Sequence, residues 1–184
     1  PAAPEAARIP IETQRLTGSI SLLGGRIDQL SLDDYRVAQE HDSRDVTLLS
    51  PVGRPNAYYA LFFWFPRGEL SFDDVAGANT AWQVERGETL GVGSPVTLRW
   101  DNGKGVIFRR EISVDENFLF TVKQSAENTG ATPLRMAPYG IVARHGEPAD
   151  QTGFFIIHEG VVRQNDDELE EIDSGDMPDM AFVE

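Results

Sequence analysis

Short segments that alternate apolar and polar residues, separated by strong turn signals, run the length of this chain. No stretch places apolar residues at the three-to-four spacing of an amphipathic helix. Each alternating segment is apolar on one side only, so it must pair into a sheet and stack on a second sheet to leave water. LTGSISL (16–22) puts Leu16, Ile20 and Leu22 on one side, and Gly24-Gly25 then turns the chain into RIDQLSL. Two short strands around Gly-Gly predict a tight hairpin, because primed turns need positive φ. VTLRW (96–100) sets Val96, Leu98 and Trp100 on one face, Asp101-Asn102-Gly103 turns, and GVIFRREISV (105–114) returns. FLFTVKQSAEN (118–128) alternates Phe118, Phe120 and Val122 before turning at Asn128-Thr129-Gly130. PLRMAPYGIVAR and GFFIIHEGVV complete about ten predicted strands of an all-β antiparallel sandwich.

Charge divides the chain. It carries 30 acids against 16 bases, a net −14. Nine of those acids and no base lie in residues 165–184, so that segment holds −9 and residues 1–164 only −5. This balance excludes nucleic-acid binding, which runs on Lys/Arg patches, and docking on anionic lipid, which wants a polybasic face. The absence of cysteine excludes a disulfide framework, Cys-ligated zinc and thiol nucleophiles. The longest apolar run, AYYALFFWF (57–65), falls well short of the roughly 20 residues a membrane helix needs. The chain starts at Pro1 without Met and reads as a piece excised from a longer precursor. Three segments are expected: a linker over 1–14, headed by the Ala/Pro-rich PAAPEAARIP; a sandwich over 15–164; and an acidic, partly ordered continuation over 165–184. Leu169, Ile172, Met177, Met180 and Phe182 would pack part of that continuation.

Catalytic signals are weak. The histidines are His41, His145 and His158, and two of them precede an acid: His145 with Glu147, His158 with Glu159. A His/Glu pair can move protons in sugar ring opening. The plainer reading seats His145 and His158 at strand ends, bonded to backbone carbonyls. No nucleophile elbow or P-loop occurs, GVGSPV (91–96) reads as a loop, and the acidic runs match no EF-hand. Neither a cofactor nor a metal is expected. The aromatic block offers Tyr58, Tyr59, Phe62 and Trp64 as candidate partner-binding residues lining a hydrophobic groove for an unfolded segment. The plainer reading is a central strand buried on both faces.

The order of segments carries a resemblance. RIPIETQRLTGSISLLGGRIDQLSLDDYR (8–36), TLLSPVGRPNAYYALFFW (47–64), WDNGKGVIFRREISVDENFLFTV (100–122), ENTGATPLRMAPYGIVARHG and GFFIIHEGVV resemble, in that order, the large periplasmic domain of the YidC family of bacterial membrane-protein insertases. The Arg-rich, Lys-poor style suits its alphaproteobacterial branch. The resemblance implies a β-supersandwich related to galactose-mutarotase-like folds, placed in the periplasm after a first transmembrane helix and beside the inner membrane. It implies no catalysis by the domain. The implied partners are SecD/SecF of the Sec translocon and nascent membrane proteins. The family's domain extends beyond 184 residues with Gly-Trp and Tyr-Trp strands and a helical connection, so a truncated sandwich is expected. The competing reading is a carbohydrate-binding or aldose-epimerase-like domain using His145 and Glu147, which rests on fold analogy.

Overall fold

The computed structural model describes residues 6–37, 44–146, 158 and 160–176. It divides into two compact units, Pro1–Ala143 and Arg144–Glu184.

Ten strands build the first unit: β1 (Arg8–Glu12), β2 (Leu16–Ser21), β3 (Arg26–Arg36), β4 (Asp45–Leu49), β5 (Tyr58–Arg67), β6 (Gln83–Arg86), β7 (Val96–Asp101), β8 (Val106–Val114), β9 (Phe120–Asn128) and β10 (Arg135–Arg144). One sheet runs β1-β2-β3-β5-β10, with β4 paired to the far part of β3; the other runs β6-β7-β8-β9. The pairings β1–β2, β2–β3, β3–β4, β3–β5 and those of the second sheet are antiparallel. The expected all-β antiparallel sandwich is therefore present.

Parity assigns the faces. In β8, Val106, Phe108, Arg110, Ile112 and Val114 are buried while the residues between them are half-exposed. Ile9 and Ile11 of β1, Leu16 and Ile20 of β2, and Leu98 of β7 meet them in a single core. Trp64 of β5 packs across the sandwich on Phe108 at 6.0 Å between ring centroids, and Trp100 stacks on the same ring at 5.5 Å. Both predicted hairpins form. Gly24 and Gly25 adopt φ of 77° and 61° between β2 and β3, and Gly103 adopts 68° in the Asp-Asn-Gly turn.

Three expectations need correction. The linker over 1–14 gives way at Arg8, where β1 begins; isoleucines at alternate positions bury Ile9 and Ile11, which composition alone hides. Phe118 is not a strand residue. The Asp115 carboxylate accepts the Asn117 and Leu119 amides at 2.8 and 2.9 Å, folding 115–119 into a tight loop with Phe118 at φ 68°. Its ring is capped by the Arg15 guanidinium at 4.1 Å. The second unit begins at Arg144 rather than 165, because β11 (Gly160–Asn165) and β12 (Glu168–Asp173) pair as one hairpin across Asp166-Asp167. The first part of the acidic segment is thus a strand, with Arg163 bonded to Glu170 at 2.7 Å across the ribbon. Met177, Met180 and Phe182 lie outside the described residues.

Candidate functional site

The aromatic block forms β5, covered on its inner face and partly exposed on the other, where Phe65 is exposed. Phe62 and Trp64 point to the core; Trp64 is 9% exposed and Phe62 half-buried. On the opposite face Leu61 is buried, Phe63 meets Tyr139 of β10 at 4.9 Å, and Phe65 meets Phe72 edge-on at 5.3 Å. Of the four candidates, Tyr58, Phe62 and Trp64 share one parity of β5 and Tyr59 has the other. Alternation along β5 sends Trp64 inward as a core residue, and Tyr58 and Tyr59 stay half-buried near the strand's start.

His158 Nδ1 pairs with Asp173 at 3.1 Å beside the β11–β12 hairpin, and His145 is exposed. Glu147, Glu159 and His41 lie outside the described residues. No group of three or more His, Asp or Glu side chains suited to a metal occurs among the described residues.

Sequence reasoning missed a buried cation. Arg110 of β8 is fully buried and crosses the sandwich to the other sheet. Its Nη1 donates to the Gly24 and Gly25 carbonyls at 3.0 Å each, and its Nη2 donates to the Phe62 carbonyl. The guanidinium lies 4.6 Å over the Trp82 ring, while its Nε has no partner. Burial pushes its pKa down to about 9, which leaves it protonated at neutral pH. A Cβ on Gly25 would stand 2.4 Å from Nη1, so this glycine is required by the cation as well as by the turn. The signal was legible: Arg110 shares the inward parity of Phe108 and Ile112.

A second anchor holds the Trp-Asp-Asn-Gly turn. Asn102 Oδ1 accepts the amides of Lys104 and Val106 at 2.8 and 3.0 Å, and Asn102 Nδ2 donates to the Asp74 carbonyl at 2.8 Å. The Asp74 carboxylate accepts Lys104 Nζ at 2.5 Å, Ser71 Oγ at 2.6 Å and the Ser71 amide at 2.8 Å. Lys104 first, then Ser71, hold that carboxyl far below the usual carboxylate range.

The outer face of the first sheet carries a cleft of about 600 Å³, lined from β1, β3, β4 and the 50–54 loop. Arg8, Arg26 and Arg54 face it with Asp28 as the sole acid. Asp28 is buried and ion-paired with Arg8, which also donates to Ser19 Oγ at 2.7 Å. Arg8 fell within the expected linker, so sequence reading could not have found this cleft.

Comparison with known proteins agrees with the resemblance. The family model described as the YidC periplasmic domain matches residues 8–182. A protein of Dinoroseobacter shibae called membrane protein insertase YidC is 61% identical over 97% of this chain and 29% of its own length. Proteins of the same name from Ruegeria pomeroyi and a Jannaschia species are 56% and 54% identical, over 96% and 97% of this chain and 30% and 28% of theirs. The chain thus spans under a third of the length of these relatives.

Proposed function

Because the chain belongs to the YidC periplasmic domain family, we propose that it is a non-catalytic partner-binding domain at the periplasmic face of the inner membrane. In this reading it serves a longer protein that inserts and folds inner-membrane proteins. The domain contacts SecD/SecF of the Sec translocon or passing client segments. The observation that carries the reading is the family match along residues 8–182. No helix of the described residues is long and apolar enough to cross a membrane, so any insertion activity would reside in parts of the parent protein outside this chain. Burial in the core removes Trp64 from direct contact with partners, and Tyr58 and Tyr59 remain as the aromatic contact candidates.

Photo-crosslinking tests this. With a photoreactive residue at 58 or 59 in the full-length parent protein, adducts to SecD, SecF or nascent membrane proteins are expected during membrane-protein synthesis. Absence of all such adducts, with insertion rates unchanged on deleting residues 8–184, would remove the partner role.

A further inference from the structure

Asn102 is the one asparagine of this chain that precedes a glycine. That placement makes its side-chain amide chemically labile, because glycine has no Cβ to keep its backbone nitrogen away. The nitrogen of Gly103 can attack Asn102 Cγ; the Cγ–Nδ2 bond then breaks. The proton lost by the attacking nitrogen reaches the departing one through water, and ammonia leaves. Water opens the resulting succinimide to aspartate or isoaspartate. No reagent other than water is consumed.

The fold blocks each part of this route. The Gly103 amide, the nucleophile, donates to Asp101 Oδ1 at 3.0 Å, and a carboxylate beside it opposes loss of its proton. The Asn102 amide is held by three bonds. Its Oδ1 accepts the Lys104 and Val106 amides, and its Nδ2, the leaving nitrogen, donates to the Asp74 carbonyl. Asp74 belongs to the segment that carries the chain from β5 of the first sheet to β6 of the second. Val75 and Ala76 of that segment are buried, and the Ala76 carbonyl accepts the Trp64 amide at 2.9 Å. Lys104 Nζ on the Asp74 carboxylate ties turn and segment a second time. We infer that Asn102 is a deamidation site latched by the fold, converted when the turn parts from the Asp74 segment and unable to re-form the latch afterwards. An aspartate at 102 has no hydrogen for the Asp74 carbonyl, and it adds a negative charge to a turn that already holds Asp101. An isoaspartate lengthens the backbone within the turn. Each opening that leads to reaction is thus recorded as a permanent covalent change.

The test is peptide mapping by mass spectrometry of this chain held for days at mildly alkaline pH, which reads the exchange of amide for carboxylate at each asparagine. Asn102 is expected to convert about tenfold faster or more in urea than in the folded chain, because three hydrogen bonds of ordinary strength must open first. The Asp74→Ala, Lys104→Ala double variant removes the second tie and should speed conversion several-fold under folding conditions. Asp101→Ala frees the Gly103 amide and should speed it as well. Asn79, Asn117 and Asn128, each followed by a residue with a side chain, serve as internal standards and should convert far more slowly in every sample. Circular dichroism establishes which variants keep the fold; if the double variant does not, Asp101→Ala decides. Equal rates in the folded chain and in urea, no conversion in urea, or folded variants as slow as the parent would overturn the latch. Asn102→Asp makes one product directly and should lower the urea midpoint. An unchanged midpoint would overturn the claim that conversion keeps the latch from re-forming.

Discussion

Truncating Arg110 to alanine strips the donor from the Gly24, Gly25 and Phe62 carbonyls in the middle of the sandwich. A buried carbonyl left without a partner costs about 1–3 kcal/mol. The two turn carbonyls alone therefore set about 4 kcal/mol against the variant, and the vacated stem volume adds to it. Removing a cation from a site with no carboxylate returns part of this as relieved desolvation. We expect a net loss of about 3 kcal/mol, which for a chain of this size lowers Tm by about 6–12 °C. Arg110→Met restores volume without donors and should lose about 2 kcal/mol. Arg110→Lys should lie between the parent and Arg110→Met. Urea titration followed by tryptophan fluorescence is the assay, since Trp82 lies directly under the guanidinium. An unchanged m-value would confirm that the midpoint reports stability. If Arg110→Met proved as stable as the parent or more so, the cation would be a net burden and the cross-sheet bonding argument would be wrong.

Glycine changes separate strain from collision. A Cβ at Gly103 meets no atom within 4 Å, so Gly103→Ala should cost only the left-handed backbone penalty, about 1–2 kcal/mol; Gly25→Ala adds the contact with Arg110 and should cost more, both read by denaturant midpoint. Trp64→Ala, a core truncation, should cost about 3–5 kcal/mol, so calorimetry would show any lost partner binding in that variant to accompany lost stability. The lowered pKa of Asp74 means its carboxylate contributes stability above the unfolded carboxyl pKa, and this is lost as pH falls through the folded value. Thermal melts from pH 5 to about pH 2 should therefore fall more steeply for the parent than for Asp74→Asn, and identical slopes would refute the assignment.

Strands whose faces differ in polarity were legible without coordinates: the Gly-Gly hairpin, the Trp100–Phe108 pairing and β8 all follow from alternation and turn residues. Failures arose where composition misled. Ala and Pro masked the Ile-x-Ile alternation of β1, and with it the pairing of Arg8 to Asp28 that shapes the outer cleft. Phe118 continued a perfect alternation, yet Asp115 bends the chain there, and a side chain capping two amides leaves no mark in hydrophobic periodicity. Of the aromatic candidates, Tyr58, Phe62 and Trp64 share one parity of β5 and Tyr59 the other, a distinction that the composition of the block does not draw. Arg110 was passed over because arginine is read as solvated, and parity outweighed residue type at that position.

The bond between Arg110 and Gly24 joins residues 86 positions apart, and β10 joins the first sheet only after all of the second sheet has intervened. A chain delivered from its N-terminus presents β1, β2 and β3 first, with Ile9, Ile11, Leu16 and Ile20 aimed at a layer that does not yet exist. Closure waits for β8, and contacts at such separation make folding slow. During that interval the β1–β3 meander is itself an apolar sheet face awaiting cover. Emerging as far as Arg110 brings its guanidinium to the Gly24 and Gly25 carbonyls, with β9 and β10 still to complete the two sheets.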